Sequence, residues 1–90
     1  MESCFMLINV KHGKLKLVFA ALSKISEIVE IHEVYGRFDI VARVEVESKE
    51  ELKKFIQNKL QITEGIHRTE TLMLYSAEPE EELSEEEPDD

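Results

Sequence analysis

The run Phe5 to Val10, "FMLINV", is apolar at every position but Asn9. A strand made of such residues puts apolar side chains on both of its faces, because successive side chains point to opposite sides of a sheet. Both faces must then be covered. The chain has 90 residues, enough for one small domain and no second layer of its own. Whatever covers the first face, the second calls for another copy or another protein.

Further along, Leu15, Val18, Phe19, Leu22 and Ile25 recur with the three- and four-residue spacing of an amphipathic helix. "IVEIHEVY" reads as a strand rich in β-branched residues, with a slip in its alternation near His32 and Glu33 that suggests a bulge. Gly36 and Arg37 then predict a two-residue hairpin of the glycine-first, primed type, after which the chain restarts at Phe38. From there Phe38, Ile40, Ala42, Val44 and Val46 share one face, with Asp39, Val41, Arg43 and Glu45 on the other. "SKEE" at Ser48 to Glu51 is a capping box that opens a second helix, whose apolar side is Leu52, Phe55, Ile56 and Leu60 and which ends before Gly65. "IHRTETLMLY" is the last strand.

The order is β-α-β-β-α-β. The two halves echo one another, with "ISEIVEIHEV" aligning to "ITEGIHRTETL" so that Ile28 falls on Ile66 and Val34 on Leu72. These features predict an α+β fold, the ferredoxin-like αβ plait: a four-stranded antiparallel sheet with two helices on one face. The doubly apolar first strand then predicts a dimer packed sheet to sheet, an association of the dimeric α+β barrel type.

Charge divides the chain. Nine of the twenty acids lie in the last fourteen residues, leaving eleven acids against eleven Lys and Arg in residues 1–76. The net charge of −9 therefore belongs to residues 77–90, which read as a disordered, solvated acidic tail, and 1–76 form the domain. A neutral body with scattered bases argues against direct contact with nucleic acid; Lys11, Lys14 and Lys16, the densest group, read as a solvated face. No apolar run is long enough for a membrane span and no leader pattern precedes the first strand, so a cytoplasmic location is expected. Cys4, the single cysteine, reads as a buried inert thiol. His12, His32 and His67 lack metal-ligand spacing, and no metal or cofactor is expected. Nor is there a nucleophile–base pair or phosphate-binding glycine loop; Gly13, Gly36 and Gly65 stand alone.

The hairpin "VYGRFDIVARVEV", the helix opening "SKEELKKFIQNKL" and the close "EGIHRTETLMLY" together resemble the effector-binding (RAM) domain of the leucine-responsive/AsnC-type regulators, over about residues 5–75. The most specific matches are Gly36, Phe38 and Asp39 in a Gly-x-aromatic-Asp hairpin, and Thr69 and Thr71 in the last strand. The resemblance implies an αβ plait that dimerises through its sheet, often builds rings of dimers, and binds an amino acid or related effector where dimers meet. By position, Gly36 would let its backbone approach the ligand, Asp39 would receive an ammonium group, and Thr69 and Thr71 would offer hydroxyls. Arg37 replaces the acidic or polar residue of many relatives and favours a carboxylate on the ligand. Asp39 as a plain acceptor for backbone amides in the turn, and the threonines as ordinary strand residues, remain alternatives.

Members of that family carry a DNA-reading domain ahead of this one, whereas here the first strand begins almost at Met1. The expectation is a stand-alone sensing and oligomerisation domain in transcriptional regulation, without DNA binding of its own. Its partners would be other copies, a small effector and full-length regulators of the family. Two other functions compete: an assembly module that binds no ligand and mixes with full-length relatives, and, less favoured, a small dimeric αβ-barrel enzyme.

Overall fold

The computed structural model describes residues 1–74; the acidic segment 77–90 lies outside them. The elements follow as β1 (Glu2–Val10), α1 (Leu15–Leu22), β2 (Ile28–Glu33), β3 (Ile40–Val46), α2 (Lys49–Phe55) and β4 (Ile66–Met73), with α2 continuing as a π-helical turn over Ile56–Leu60. The four strands form one sheet in the order β2-β3-β1-β4. Every neighbouring pair is antiparallel. This is the αβ plait that the sequence predicts, and the aligned residues Ile28 and Ile66 are the first residues of β2 and β4.

The core lies between the sheet and the helices. Cys4, Met6 and Ile8 of β1 and Ile40, Ala42, Val44 and Val46 of β3 meet Val18 and Leu22 of α1 and Leu52, Phe55 and Leu60 of the second helix. Their alternate positions in the strands show why the face is fixed: a slip of one residue would put charged Arg43 and Glu45 against the helices. Burial pushes the Cys4 thiol up from its ordinary value, which makes it an unreactive core residue.

Half of the capping box forms. The Ser48 hydroxyl accepts a hydrogen bond from the Glu51 amide at 3.1 Å, while the Glu51 carboxylate turns instead toward Lys54, 3.8 Å away. The π-turn shows in the Gln61 amide, which donates to the Ile56 carbonyl at 2.8 Å, five residues back.

Two local expectations need correction. The hairpin between β2 and β3 is wider than a two-residue turn: strand pairing ends at Glu33 opposite Ile40, and the Val34 amide closes the loop on the Asp39 carbonyl at 2.9 Å. Gly36 does take a positive φ of 125°, within this longer loop. The bulge in β2 falls between Ile28 and Glu30, not at His32. Ile28 and Ile31 both pack on the core although they are three residues apart, which a regular strand forbids, so one extra residue must be accommodated between them.

Gly65 marks the tightest passage of the chain. Its φ is 99°, and a Cβ there would lie 2.8 Å from Val18 Cγ2 and 3.2 Å from Lys14 Cβ. Its carbonyl accepts from the Lys11 amide at 2.7 Å, tying the entry of β4 to the exit of β1. Gly65→Ala therefore combines backbone strain with overpacking and is expected to cost about 2–4 kcal/mol in denaturant unfolding. Gly36→Ala meets no neighbour within 4 Å and should show the strain alone, about 1–2 kcal/mol.

Candidate functional site

The side of the sheet away from the helices has no cover among the described residues. The strand register lines its side chains up in two rows. Leu72, Phe5, Arg43 and Glu30 form one; Glu70, Leu7, Val41 and His32 form the next. Phe5, Leu7, Val41 and Leu72 make an apolar centre, with charged groups and His32 around it. Arg43 pairs with Glu45 at 2.6 Å on the same side. Three of the four apolar residues are half-buried and Leu72 is 46% exposed, so the patch is contiguous and open to solvent in the single copy.

At the end of this face stands Asp39. Its amide donates to the Ile8 carbonyl at 2.9 Å, its carbonyl accepts from Val34, and its Oδ2 accepts from the Val10 amide at 2.9 Å. Asn9 adds a bond from Nδ2 to the Arg37 carbonyl at 2.7 Å. The carboxylate thus serves the end of the neighbouring strand, where the β1–β4 ladder shifts register, and not the amides of its own turn. Oδ1 has no hydrogen-bond partner among the described residues. Asn9 was the readable signal for this contact, being the one polar residue in the apolar run of β1.

The other residues singled out in the sequence divide between two places. Tyr35, Gly36 and Arg37 are exposed at the loop tip and Phe38 is half-buried beside Asp39. Thr69 and Thr71 stand opposite Ile8 and Met6, so they belong to the helix side of β4. Thr69 is exposed. The Thr71 hydroxyl is 3.1 Å from the Met6 sulfur, a weak acceptor. Asp39 continues the opposite series with Val41 and Arg43. Strand β1 also separates β3 from β4, two strand spacings or about 10 Å. One chain therefore brings Gly36 to Asp39 together, and Thr69 with Thr71, but not the two groups with each other. The hollow at the loop, lined by Leu15, Glu33, Val34 and Tyr35, is about 160 Å³, below the range of roughly 300–1,000 Å³ usual for small-molecule sites.

Two larger concavities lie on the helix side. One of about 390 Å³ runs between Leu17 and Ala21 of α1, Ile25 in the segment after it, and Ile62 beyond the second helix. Beside it Lys59 pairs with Glu27 at 2.9 Å, and that hydrogen bond holds the Glu27 carboxyl below its ordinary range. The other, of about 380 Å³, sits at the start of β4. Among the described residues no three His, Cys, Asp or Glu side chains group as a metal site, and no helix is long and apolar enough to cross a membrane.

An uncovered plait face with a Gly-x-aromatic-Asp loop at its end is the arrangement that the resemblance to a regulatory domain implies, and comparison with known proteins identifies the family. The profile of the Lrp/AsnC ligand binding domain matches residues 3–83, and this chain belongs to that family. It is 37% identical over 76 residues to the HTH-type transcriptional regulator FL11 of Pyrococcus furiosus, a match covering 84% of this chain and 50% of FL11. Among solved structures it resembles TTHA0845 from Thermus thermophilus, with a TM-score of 0.81, 30% identity, and coverage of 88% of this chain and 99% of that one. It also resembles Escherichia coli AsnC, with a TM-score of 0.81 and 25% identity, over 91% of this chain and 56% of AsnC. The chain spans about half the length of the curated relatives it matches. Those relatives are named as transcriptional regulators and the matched domain is a ligand-binding one, so the family is regulatory and not enzymatic.

Proposed function

We propose that this chain is a sensing and oligomerisation module of transcriptional regulation, which binds an amino-acid-like effector. The observation that carries the reading is the division of the candidate site. Asp39 and its loop lie toward the helix-free side, Thr69 and Thr71 on the helix side of an edge strand. A ligand touching both groups must then sit between the hairpin of one copy and the last strand of another, so binding and assembly are linked.

Assembly itself rests on the apolar centre Phe5, Leu7, Val41 and Leu72. A two-fold axis through that face lets the same patch cover itself, as a symmetric dimer requires. Asp39 would hold the ammonium of the effector with Oδ1 while Oδ2 keeps the Val10 amide; Gly36, Arg37 and Phe38 would form the wall beside it.

One observation favours the second reading, an assembly module without a ligand that mixes with full-length regulators: Asp39 already has a structural task in the Val10 bond. Native mass spectrometry of the chain taken from its source cells separates the two. Symmetric oligomers that retain an amino-acid-sized molecule are expected. Oligomers that carry nothing, alone or mixed with longer relatives, would favour the second reading, and a monomer would remove both.

A further inference from the structure

The two rows of the helix-free face carry an order as well as a composition. From β4 to β2 one row reads Glu70, Leu7, Val41, His32, and the next Leu72, Phe5, Arg43, Glu30. The first row therefore has an acid at one edge of the sheet, a titratable base at the other, and two apolar residues between them. Glu70 and His32 are exposed, and neither side chain has a hydrogen-bond or ion-pair partner among the described residues.

When such a face covers itself, the direction of the two-fold axis decides which residues meet. An axis parallel to the strands, midway between β1 and β3, lays β4 of each copy over β2 of the other and β1 over β3. Each row then faces its own reversal. Leu7 lies over Val41, Glu70 over His32, and Phe5 over Arg43, whose guanidinium is held by Glu45 at 2.6 Å and can lie flat on the ring. Leu72 over Glu30, at the rim, is the one poor match. An axis across the strands is worse wherever it falls. Through the first row it sets Glu70 on Glu70 and His32 on His32; through the second, Arg43 on Arg43 and Glu30 on Glu30. Between the rows it pairs His32 with Glu30 but presses Arg43 on Val41 and Glu70 on Leu72. Like charges opposed, or charges buried on apolar groups, cost free energy that the parallel axis avoids. Sheets packed face to face cross at about 30°, which shifts their edges by roughly one residue, and the long Glu70 side chain spans that gap.

We propose, resting on the reading above that the module assembles sheet to sheet, that the parallel axis relates the two copies, that His32 of each meets Glu70 of the other, and that protonation of His32 tightens the pair. A histidine side chain gains its charge at about pH 6.5, and a glutamate keeps its own down to about pH 4.3. In the assembly the carboxylate favours the charged imidazole. Association therefore takes up protons and strengthens as pH falls through that window, until Glu70 itself is neutralised. Other charged groups stand close to both. Asp39 and Arg43 lie diagonally across from His32 on β3 and Glu30 lies two residues along β2, while Arg68 lies two residues from Glu70 on β4. Arg43 is already paired with Glu45; Asp39 and Glu30 add to the preference for a charged His32, and Arg68 opposes it.

The test is sedimentation equilibrium of the whole 90-residue chain at about pH 8 and about pH 5.5, either side of histidine titration. The same runs are made with His32→Gln, Glu70→Gln, Glu30→Gln, His32→Glu and the exchange of His32→Glu with Glu70→His, each checked for folding by circular dichroism. With two such pairs in each dimer, the unaltered chain should associate about ten-fold or more tightly at the lower pH. That response should vanish in His32→Gln and in Glu70→Gln and persist in Glu30→Gln. His32→Glu alone should weaken the dimer, and the exchange should restore both the affinity and the response. His12, His67 and the acids of 77–90 also titrate, so a response that survives in His32→Gln would overturn the switch. A response lost with Glu30→Gln and kept with Glu70→Gln would turn the axis across the strands and overturn the pairing. A dimer indifferent to pH and to every variant would overturn this inference while leaving assembly standing, and a monomer throughout would remove both.

Discussion

Ile8→Lys should leave no folded chain, and Leu7→Lys, one residue away, should leave a folded chain that no longer assembles. Ile8 is 0% exposed on the helix side of β1, among Ile40, Met6 and the helices, and no acidic side chain belongs to that core. A lysine there is a buried charge without a partner, at a cost of several kcal/mol or deprotonation of the amine. For a domain of this size, whose whole stability is on the order of 5 kcal/mol, that loss exceeds what is available. Leu7 faces the other way, between Val41 and Glu70, and is half-buried in the single copy. A lysine at that position can extend its ammonium to water and costs the fold about 1 kcal/mol at most. In a symmetric pair of sheets it brings two positive charges to one apolar contact, and the assembly should come apart at micromolar concentration. Thermal unfolding reads the first effect and sedimentation velocity the second. An unchanged sedimentation coefficient for Leu7→Lys would mean that the helix-free face is not the contact.

That pair of outcomes also shows what the sequence reveals and what it conceals. A run that is apolar at consecutive positions asks for cover on both faces of β1, without saying which face meets the helices. The alternation of Ile40, Ala42, Val44 and Val46 against Val41, Arg43 and Glu45 supplies the answer, because charge on one set leaves only the other for the core. The helices were legible for the same reason: Val18, Leu22, Leu52, Phe55 and Leu60 are buried at the positions their spacing marks.

What stayed hidden depends on contacts between segments distant in the chain. The β2–β3 hairpin looks like a two-residue turn locally, since Gly36 does adopt a positive φ, but Asp39 is drawn out of a simple turn by Ile8 and Val10, about thirty positions earlier in the chain. The bulge in β2 was legible in principle from Ile28 and Ile31, whose odd spacing cannot keep both on one face of a regular strand. The division of the candidate site was not. The residues of "GRFD" and "TET" give no sign that β1 lies between them or that they look to opposite sides, because that follows from the strand order alone.

The role of Asp39 is decided by comparing Asp39→Asn with Asp39→Ala. In the asparagine variant the side-chain oxygen can still accept from the Val10 amide, so the loop and the end of β1 should keep their shape. In the alanine variant that half-buried amide loses its acceptor, and unfolding should cost about 1–3 kcal/mol less work than in the unaltered chain. Stability thus reports the Val10 bond and leaves charge to be read by binding. If Oδ1 receives the ammonium of an amino-acid effector, Asp39→Asn loses a charge-assisted hydrogen bond worth about 1.5–3 kcal/mol, a ten- to hundred-fold weakening. Calorimetric titration of the twenty amino acids into both chains checks this. Heat with the unaltered chain and little with Asp39→Asn assigns the carboxylate to the ligand as well as to the fold. Equal binding by both would restrict Asp39 to holding the Val10 amide, and silence from both at millimolar amino acid would leave assembly as the task of this domain.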